Sequence, residues 1–409
     1  MASRLISTMV DKPGWVVSTL FFLLVTGPPK FRSRDLDASV RGEVDFAIFV
    51  QIAVYVAAFA WCTRELYLRP ELRKLSWTHR IAAVFVGLIA TSCVFSLAPA
   101  FTASKAFEIG VLFCFTMIFV ARFGVQICLD YILKGMLLIC LLLTFLAIIA
   151  PQMVLFESES GIPRLRGWTI AESGPVAAIA VVLLLCSARP IKRSWFWLSL
   201  SSGVLFFSLT RTAWGAVGCI LVMILVLRPR IWSRKVVFVS VIVLLLLIMG
   251  SSTIRGARDE SNLDDFGGRS VLWIHMADTV LTESPWLGLG YAAGTRVLAM
   301  EVDPDYATGH SIFFEVFIGA GILGLVGLFV LIGNLLVLCT RMIGSHAEAQ
   351  IFTAVAVFCT LIIIGALWEQ IDSTPFGFTF WAFVSIIPRM RSLQIENGGP
   401  SYETQQLPA

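Results

Sequence analysis

Two arginines and one histidine are the residues of this chain whose types and positions best suit chemistry. Arg211 lies between two strongly apolar stretches, Arg269 follows two glycines, and His310 directly precedes a long apolar stretch. An arginine fork binds phosphate through paired hydrogen bonds and keeps its charge, whereas histidine accepts a proton near neutral pH. These residue types favour a site that holds a phosphorylated molecule and activates a hydroxyl group.

Each of these residues also has a structural interpretation, which the sequence leaves open. Arg211 could snorkel to a membrane interface from a helix end, and Arg269 could lie on the wet face of an amphipathic helix. A single interfacial histidine is often structural. Glu315, about one helical turn after His310, could orient the imidazole or could simply be a charge at a helix terminus.

The elements that position these residues are membrane helices, as the composition indicates. The chain has 409 residues, of which 57% are hydrophobic and only 14% are charged, whereas soluble proteins have about 25% charged residues. The net charge of +4 is too small to suggest nucleic acid as a partner. The nine cysteines lie in or beside apolar segments without the spacing of metal ligands. A polytopic membrane protein is predicted, and a soluble enzyme is excluded.

Twelve apolar segments are candidate transmembrane helices, because about 20 apolar residues cross a bilayer core of about 30 Å. They lie near residues 13–27, 44–62, 79–97, 105–121, 131–150, 172–187, 195–210, 212–227, 236–250, 312–339, 349–368 and 375–388. If both termini are cytoplasmic, the basic loops 63–80, 188–194 and 228–235 all lie on the cytoplasmic side. Loop 28–43 is an exception, because it is also basic and would lie on the outer side. We therefore predict an all-α integral membrane protein with both termini in the cytoplasm.

This topology places the longest hydrophilic segment, about residues 251–311, on the outer face. It holds four arginines, nine carboxylates and no lysine; the arginines are Arg255, Arg258, Arg269 and Arg296. The apolar spacing along Gly268–Glu283 predicts an amphipathic helix on the membrane surface, ended by Ser284 and Pro285. The predicted parts are therefore helices 1 to 9 (1–250), this loop (251–311), helices 10 to 12 (312–390) and a disordered cytoplasmic tail (391–409).

Two further patterns favour structural roles. The aromatic and glycine-containing segment Trp286–Tyr291 is typical of anchoring at the bilayer interface. The small residues of Gly319–Gly327 are typical of close packing between membrane helices. Neither a phosphate-binding Gly-x-x-x-x-Gly-Lys-Ser/Thr loop nor a His-Glu-x-x-His motif is present, and we predict no metal site and no cofactor.

The order of three segments resembles the O-antigen ligase and O-antigen polymerase superfamily, which includes exopolysaccharide polymerases. The segments are SLTRTAWG, then GGRSVLWIHMADTVLTESPWLGLGYAAG, then GHSIFFEVFIGAGILGLVGL. They fall within about residues 195–340, and the twelve-span layout with one long periplasmic loop extends the resemblance along the chain. The specific features are the order, spacing and sidedness of the segments.

The resemblance implies a GT-C-like architecture in the bacterial inner membrane and a glycosyltransferase activity in the periplasm. The donor would be an oligosaccharide on a polyprenyl diphosphate, and the acceptor either the lipid A core or the next lipid-linked repeat unit. Arg211 and Arg269 would correspond to the family arginines that hold the diphosphate, and His310 to the catalytic histidine. Arg255, Arg258 and Glu315 are candidates for supporting roles. Family members often have His-Asn where this chain has His310-Ser311.

A metal-independent, inverting transfer agrees with these residues, because the diphosphate is already a good leaving group and arginines stabilise its developing charge. The alternative is a transporter or flippase for polyprenyl-linked glycans, without transferase activity. A flippase requires charges along a path through the bilayer, whereas the apolar segments carry few charges besides Lys105, Glu108 and Lys134. Ligase and polymerase share the site residues, so either acceptor is compatible, and a chain-length regulator is an expected partner of a polymerase.

The predicted topology can be tested by labelling single cysteines in a cysteine-free variant. A membrane-impermeant maleimide added to spheroplasts should label cysteines at Ser261 and Tyr306, because both are expected outside. A cysteine at Ser194 should stay protected until the membrane is opened. Labelling at Ser261 from the cytoplasmic side alone would overturn the orientation and the outer-face site with it.

Overall fold

The computed structural model describes most of the chain, with gaps. The described residues are 12–27, 46–157, 163–165, 173–186, 194–208, 210–227, 269–302, 309, 311–343, 349–367, 371 and 375–396. Their α-helices are α1 (Trp15–Thr26), α2 (Phe46–Leu68), α3 (Trp77–Thr91), α4 (Pro99–Phe123), α5 (Val125–Ile149), α6 (Pro151–Val154), α7 (Ser173–Cys186), α8 (Ser194–Ser208), α9 (Arg211–Leu227), α10 (Arg269–Glu283), α11 (Ala293–Val302), α12 (Ile312–Ile343), α13 (Ala349–Leu367) and α14 (Phe376–Glu396). A short antiparallel pair of strands, β1 (Leu155–Glu157) and β2 (Pro163–Leu165), lies between α6 and α7.

Local sequence signals set several helix ends. The Ser76 hydroxyl accepts a hydrogen bond from the His79 backbone N–H and caps the start of α3. Pro99 occupies the first turn of α4, where its missing N–H has no cost. Gly124, at φ 85°, ends α4 and donates its N–H to the Val120 carbonyl, which lets α5 begin at the next residue.

Five of the described helical segments are long and apolar enough to cross a membrane: Ile48–Leu68, Trp77–Phe95, Pro99–Phe123, Val125–Ile149 and Ile312–Met342. Four shorter apolar helices accompany them, at Trp15–Thr26, Ser173–Cys186, Thr212–Ile224 and Gln350–Ala366. The prediction of an α-helical membrane protein is thereby confirmed. Eleven predicted segments coincide with described helices, but 236–250 lies outside the described residues. The total of twelve spans and the sidedness of the loop therefore stay predictions.

An aromatic cluster joins α1, α4 and α14. The ring of Phe21 lies 4.6 Å from that of Phe119 and 4.8 Å from that of Phe378, centroid to centroid. The Thr116 hydroxyl donates to the Trp381 carbonyl at 3.1 Å, which adds a polar tie between α4 and α14. Because lipid tails are as apolar as these side chains, close ring packing and such hydrogen bonds supply the association between helices.

Polar contacts fix two further helix pairs. Glu65 of α2 is only 2% exposed, and its carboxylate pairs with Arg122 of α4 at 2.6 Å and with Arg69 at 3.5 Å. The Thr78 hydroxyl of α3 donates to the side-chain oxygen of Asn334 on α12 at 2.8 Å. Buried charges and amides are tolerated in such surroundings when they are paired, and these pairs define how α2, α3, α4 and α12 meet.

The helix α12 is broken at Gly321, where φ is 65° and ψ is −161°. A continuous helix would have hydrogen bonds from the Ile322 N–H to the Ile318 carbonyl and from the Leu323 N–H to the Gly319 carbonyl. Both of these bonds are replaced. The new partners come from segment 285–290. The N–H groups of Leu289 and Gly290 donate to the carbonyls of Ile318 at 2.9 Å and Gly319 at 3.0 Å. In the other direction, the N–H groups of Ile322 and Leu323 donate to the carbonyls of Pro285 at 2.9 Å and Trp286 at 3.2 Å. The loop segment thus satisfies the backbone groups that the break releases.

Glycine is required on both sides of this junction. A Cβ atom on Gly288 would lie 2.5 Å from the Gly319 carbonyl carbon, and one on Gly319 would lie 2.5 Å from the Tyr291 Cα. Gly321 itself adopts a backbone conformation that is nearly exclusive to glycine. The glycine run therefore has two functions: Gly327 packs against α3, while Gly319 and Gly321 face the loop segment 285–290.

The helix α10 has two apolar faces, whereas the sequence predicted one. Leu272, Met276 and Val280 are fully buried against α11 and α12. Three other apolar side chains are exposed: Val271 (57%), Ile274 (70%) and Leu281 (55%). The helix and its end before Ser284 agree with the sequence, but half of its apolar residues pack against the protein. Contact of the exposed face with the membrane surface stays a prediction.

The last helix is longer than predicted. α14 continues to Glu396, six residues into the range predicted as a disordered tail, and it contains Pro388. Side chains of its last turns interact with each other, since Arg389 pairs with Glu396 at 3.9 Å and Arg391 donates to the Gln394 side chain at 2.8 Å. The Arg391–Gln394 contact has the i,i+3 spacing that favours a helix. Residues 397–409 of the predicted tail lie outside the described residues.

The positive φ of Gly321 can be tested by substitution, because another residue there should lower the stability of the protein. Gly321→Ala should destabilise the protein, because the positive φ costs about 1–3 kcal/mol for other residues and the new Cβ would collide with Trp286. We expect a lower midpoint of thermal unfolding in detergent.

The matched control is Gly333→Ala in the same helix, where a Cβ would meet nothing within 4 Å. This change should be neutral or stabilising by up to about 1 kcal/mol, because alanine favours the helix. Equal unfolding midpoints for the two variants would contradict the assignment of the break.

Candidate functional site

The predicted site residues differ in how much the structure describes of them. Arg211 and Arg269 are the first residues of α9 and α10, and the structure describes their backbone but not their side chains. His310 lies outside the described residues, although its neighbours Gly309 and Ser311 are described. Glu315 is described in full. Arg255 and Arg258 lie in 251–268, which is outside the described residues.

The backbone on both sides of His310 is held by side chains from two helices. The Gly309 carbonyl accepts a hydrogen bond from the Trp273 indole N–H at 2.7 Å. The Gly309 N–H donates to the carboxylate of Glu315 at 3.4 Å. The Ser311 carbonyl accepts from the Glu315 N–H at 2.8 Å, which begins the first turn of α12. Gly309 and Ser311 are therefore held to α10 and to the first turn of α12.

The indole of Trp273 also ties α10 to the first turn of α12. Its ring is stacked on that of Phe314, with centroids 4.5 Å apart and planes 10° apart. Residues four apart share a helix face at a distance of about 6 Å, so the Arg269 backbone lies one turn from Trp273 on the same side of α10. The structure thus brings Trp273, one turn after the start of α10, together with Gly309 and the first turn of α12.

Glu315 is an unusual residue for the first turn of an apolar helix, because it is only 2% exposed. Its carboxylate lies beside Gly309, since a Cβ on that glycine would be 3.4 Å from Oε2. A buried carboxylate requires hydrogen bonds to compensate for the lost water, and the Gly309 N–H supplies one of them. The side chain therefore binds the backbone of Gly309, and a supporting role for Glu315 in catalysis stays a prediction.

The surroundings of Arg211 are a tight turn between α8 and α9. Thr210 is buried against the start of α7, where a Cβ on Gly174 would lie 2.6 Å from the Thr210 Cβ. The Trp214 indole N–H donates to the Leu205 carbonyl at 2.7 Å and closes the turn. The main packing partners of α9 are α7 and α13, so the proximity of Arg211 to His310 stays a prediction.

The sequence did not indicate a contact that joins the loop segment to Ser92, after α3, and to the start of α4. Tyr291 is fully buried; its N–H donates to the Ser92 hydroxyl at 3.1 Å and its carbonyl accepts from the Thr102 hydroxyl at 3.2 Å. The guanidinium of Arg296 lies over the ring of Phe101, 4.9 Å from its centroid. No local pattern signals these contacts, because the partners are far apart in the chain.

Within the described residues, no group of three or more His, Cys, Asp or Glu side chains is arranged to hold a metal ion. The carboxylates of 251–268 and 303–308 lie outside the described residues. The metal independence of the site therefore stays a prediction.

Part of the chain matches a known protein family. Residues 195–329 match a family model described as O-antigen ligase. No curated protein matches the chain. The matched range begins in α8, contains Arg211, Arg269, His310 and Glu315, and ends after the break in α12. Over these residues the chain carries the sequence pattern of the O-antigen ligase and polymerase superfamily, as the order of its motifs predicts.

Proposed function

We propose that this protein is a membrane glycosyltransferase of the O-antigen ligase or polymerase type. It transfers a glycan from a polyprenyl diphosphate carrier to an acceptor hydroxyl at the periplasmic face of the bacterial inner membrane. His310 is the general base, and Arg211 and Arg269 hold the diphosphate. The reaction is a single displacement without a metal ion, and it inverts the anomeric configuration.

The observation that carries this proposal is the hydrogen bond from Trp273 to Gly309. It joins the helix that begins with Arg269 to the residue immediately before His310. An arginine that holds the diphosphate and a base that deprotonates the acceptor hydroxyl must reach the same pair of bound substrates. The bond supports a short distance between α10, which begins with Arg269, and the residue before His310. The family match spans the same residues.

The helix positions of the two arginines also support binding of an anion. Both are the first residue of a helix, where the helix dipole and the unpaired N–H groups already give a positive potential. A cation at that end is unfavourable by about 0.3–1 kcal/mol on its own. A bound diphosphate reverses this effect, because its charge interacts favourably with both the helix and the guanidinium.

His310 suits general base catalysis, because imidazole has its ordinary pKa near neutral pH. It removes the proton from the acceptor hydroxyl while the hydroxyl oxygen attacks the anomeric carbon and the diphosphate leaves with the bonding electrons. The arginines stabilise the charge that develops on the leaving group. Glu315 acts as a positioning residue, through its hydrogen bond to Gly309.

The flippase alternative is disfavoured by the pairing of charges within the spans. Lys105 and Glu108 of α4 form an ion pair at 2.9 Å, and Gln51 of α2 donates to the same carboxylate at 3.2 Å. Lys134 lies over the Tyr131 ring, 5.4 Å from its centroid. These charges are compensated by neighbouring side chains, whereas a transport path would present them to an anionic head group.

The direct test is a transfer assay with purified protein in lipid nanodiscs. With a polyprenyl-diphosphate-linked oligosaccharide, we expect elongation of the glycan if the acceptor is a second repeat unit, or transfer to lipid A core if that is the acceptor. Activity should survive EDTA, because arginines neutralise the diphosphate. Loss of activity that magnesium or manganese restores would contradict the metal-independent mechanism, and no transfer to either acceptor would contradict the proposed function.

Substitutions should separate the base from the diphosphate ligands. His310→Ala should slow transfer by about 10²–10⁴-fold, the usual contribution of a general base, while donor binding stays nearly unchanged. Arg211→Lys and Arg269→Lys should weaken donor binding, because an ammonium group does not replace the bidentate fork. Transfer rates and donor affinity should be measured on the same preparations.

Two matched controls come from described, exposed residues. His275→Ala removes a histidine of α10 that contacts Glu301 at 3.4 Å on the protein surface, and Arg341→Lys changes an arginine at the far end of α12. Both should retain wild-type transfer. A His310→Ala variant with normal turnover, or one that no longer binds the donor, would refute the role of His310 as the base.

A further inference from the structure

The short connection between α2 and α3 carries positive charge that the mechanism above does not use. Residues 64–80 contain five basic and two acidic side chains, so their net charge is +3 with the histidine neutral. A concentration of one charge sign on a surface attracts partners of the opposite sign. The basic residues are Arg64, Arg69, Arg73, Lys74 and Arg80, and the acidic residues are Glu65 and Glu71.

This connection lies at a membrane surface, because it joins two helices that are long and apolar enough to span a bilayer. The two spans are Ile48–Leu68 and Trp77–Phe95. At their adjoining ends, the side chains of Tyr67 and Trp77 are 78% and 68% exposed. Tyrosine and tryptophan favour the headgroup region of a bilayer. The residues between them, 69–76, are therefore close to the phosphate groups of the lipids.

Glu65 does not neutralise this surface, because its carboxylate is buried against α4. The residue is 2% exposed, and its Oε1 pairs with the Arg122 guanidinium at 2.6 Å. Arg69, just after the end of α2, lies 3.5 Å from the other oxygen of the same carboxylate. Glu71 is therefore the one carboxylate of residues 64–80 that remains on the surface.

Arg73 is held in a position that suits binding of an anion. Its Nε donates to the Leu66 carbonyl at 3.0 Å, in the last turn of α2, where carbonyl groups lack a partner within the helix. The side chain is exposed, and its two terminal nitrogens make no hydrogen bond among the described residues. These nitrogens keep the fork geometry that suits phosphate oxygens. Because the guanidinium is already ordered, a ligand loses less entropy on binding.

Lys74 and Arg80 add two exposed charges next to this guanidinium. Lys74 lies two residues before Ser76, the N-cap of α3, and Arg80 lies in the first turn of that helix. Neither side chain has a hydrogen bond or an ion pair among the described residues. Clusters of lysine and arginine directly beside a membrane helix attract anionic lipid headgroups.

We propose that Arg73, Lys74 and Arg80, together called the basic surface, bind the headgroups of anionic phospholipids. Arg73 donates its terminal N–H groups to the phosphodiester oxygens, and the other two residues attract the net negative charge of the lipid. The ligand is a membrane lipid rather than a free phosphate ion, because α2 and α3 expose apolar side chains that suit acyl chains, such as Phe59 and Val84. This binding is independent of glycan transfer.

A local fluorescence measurement tests the proposal in the full-length protein. A cysteine-free variant with Leu68→Cys carries a bimane label at the end of α2, where Leu68 is 55% exposed. The protein is reconstituted in phosphatidylcholine bilayers with quencher lipids that carry a nitroxide near the headgroup end of one acyl chain. Phosphatidylglycerol and phosphatidylcholine quenchers are compared, because both contain a phosphate but only phosphatidylglycerol has a net negative charge.

At equal mole fraction, the phosphatidylglycerol quencher should reduce the fluorescence more than the phosphatidylcholine quencher. About 1 M salt should remove most of this preference, because it shortens the screening length to about 3 Å. Millimolar inorganic phosphate should leave the preference unchanged, since a free ion lacks the acyl chains that keep a lipid at the surface. Displacement of the lipid by inorganic phosphate would overturn the assignment to a lipid.

Substitutions of charge should change the preference in opposite directions. Arg73→Gln and the double variant Lys74→Gln/Arg80→Gln should lower it by up to about fivefold for each lost charge. Arg73→Lys should retain most of it, because the charge remains. The matched control of opposite sign is Glu71→Gln, which should raise the preference for phosphatidylglycerol.

A second label shows whether these effects are local. Ile148→Cys places the bimane near the end of α5, where Ile148 is 77% exposed, whereas α5 begins next to Arg122 on the side of the basic surface. Quenching at this position should be the same in all the charge variants. An equal change at both labels would overturn binding at the basic surface.

The remaining outcomes decide between a lipid and another partner. A parent protein with no preference for phosphatidylglycerol would overturn the proposal and favour an acidic protein as the partner. Wild-type preference in the Lys74→Gln/Arg80→Gln variant would also overturn it. This variant decides the question even if Arg73→Gln weakens the end of α2, because Lys74 and Arg80 have no described side-chain partner whose loss would affect folding.

Discussion

The backbone groups that lose their helical partners at the break in α12 must be hydrogen-bonded elsewhere. This requirement determines how segment 285–290, α10 and α11 are arranged. In an apolar environment each unpaired backbone group costs several kcal/mol, so a helix cannot simply be interrupted there. At Gly321 two pairs of groups lose their helical partners, and segment 285–290 replaces all of them. Glycines at 288, 319 and 321 are the means by which the two backbones approach closely enough.

The junction also organises the elements that carry the candidate site. Because segment 285–290 lies between α10 and α11, fixing it to α12 fixes both flanking helices against the first half of α12. Trp273 then reaches Gly309, and Thr295 packs against the same glycine. The residue before His310 is therefore held from two sides by helices whose positions depend on the backbone pairing at Gly321.

The sequence predicted the helical membrane class and the location of α10, because composition and apolar periodicity are local properties. It placed Arg211 at the junction of two apolar spans and Arg269 in the first turn of the amphipathic helix, and the structure shows each as the first residue of a helix. It did not predict the break in α12, since a glycine run gives no information about φ and the partner segment lies more than twenty residues earlier. Arg296 was missed for the same reason, because its contact with Phe101 depends on tertiary packing.

The apolar residues of α10 show a second reason why the sequence did not predict the packing. Periodicity grouped six apolar residues as one surface, but burial divides them into residues that pack on α11 and α12 and residues that remain exposed. Both groups satisfy the same pattern of hydrophobicity, and only the neighbouring helices distinguish them. The side chains of Arg211, Arg269 and His310 pose a related problem, because sequence spacing defines where a residue is in the chain but not where its charge lies.

The pairing at Gly321 also has a consequence for biogenesis. Segment 285–290 is synthesised before α12, so its N–H and C=O groups must stay hydrated until their partners follow. The 32 residues of α12 follow, and the break is satisfied when segment 285–290 supplies partners for the two pairs of groups that the helix releases. The junction therefore forms only after α12 has been synthesised, and a chain in which the pairing fails would keep α12 straight.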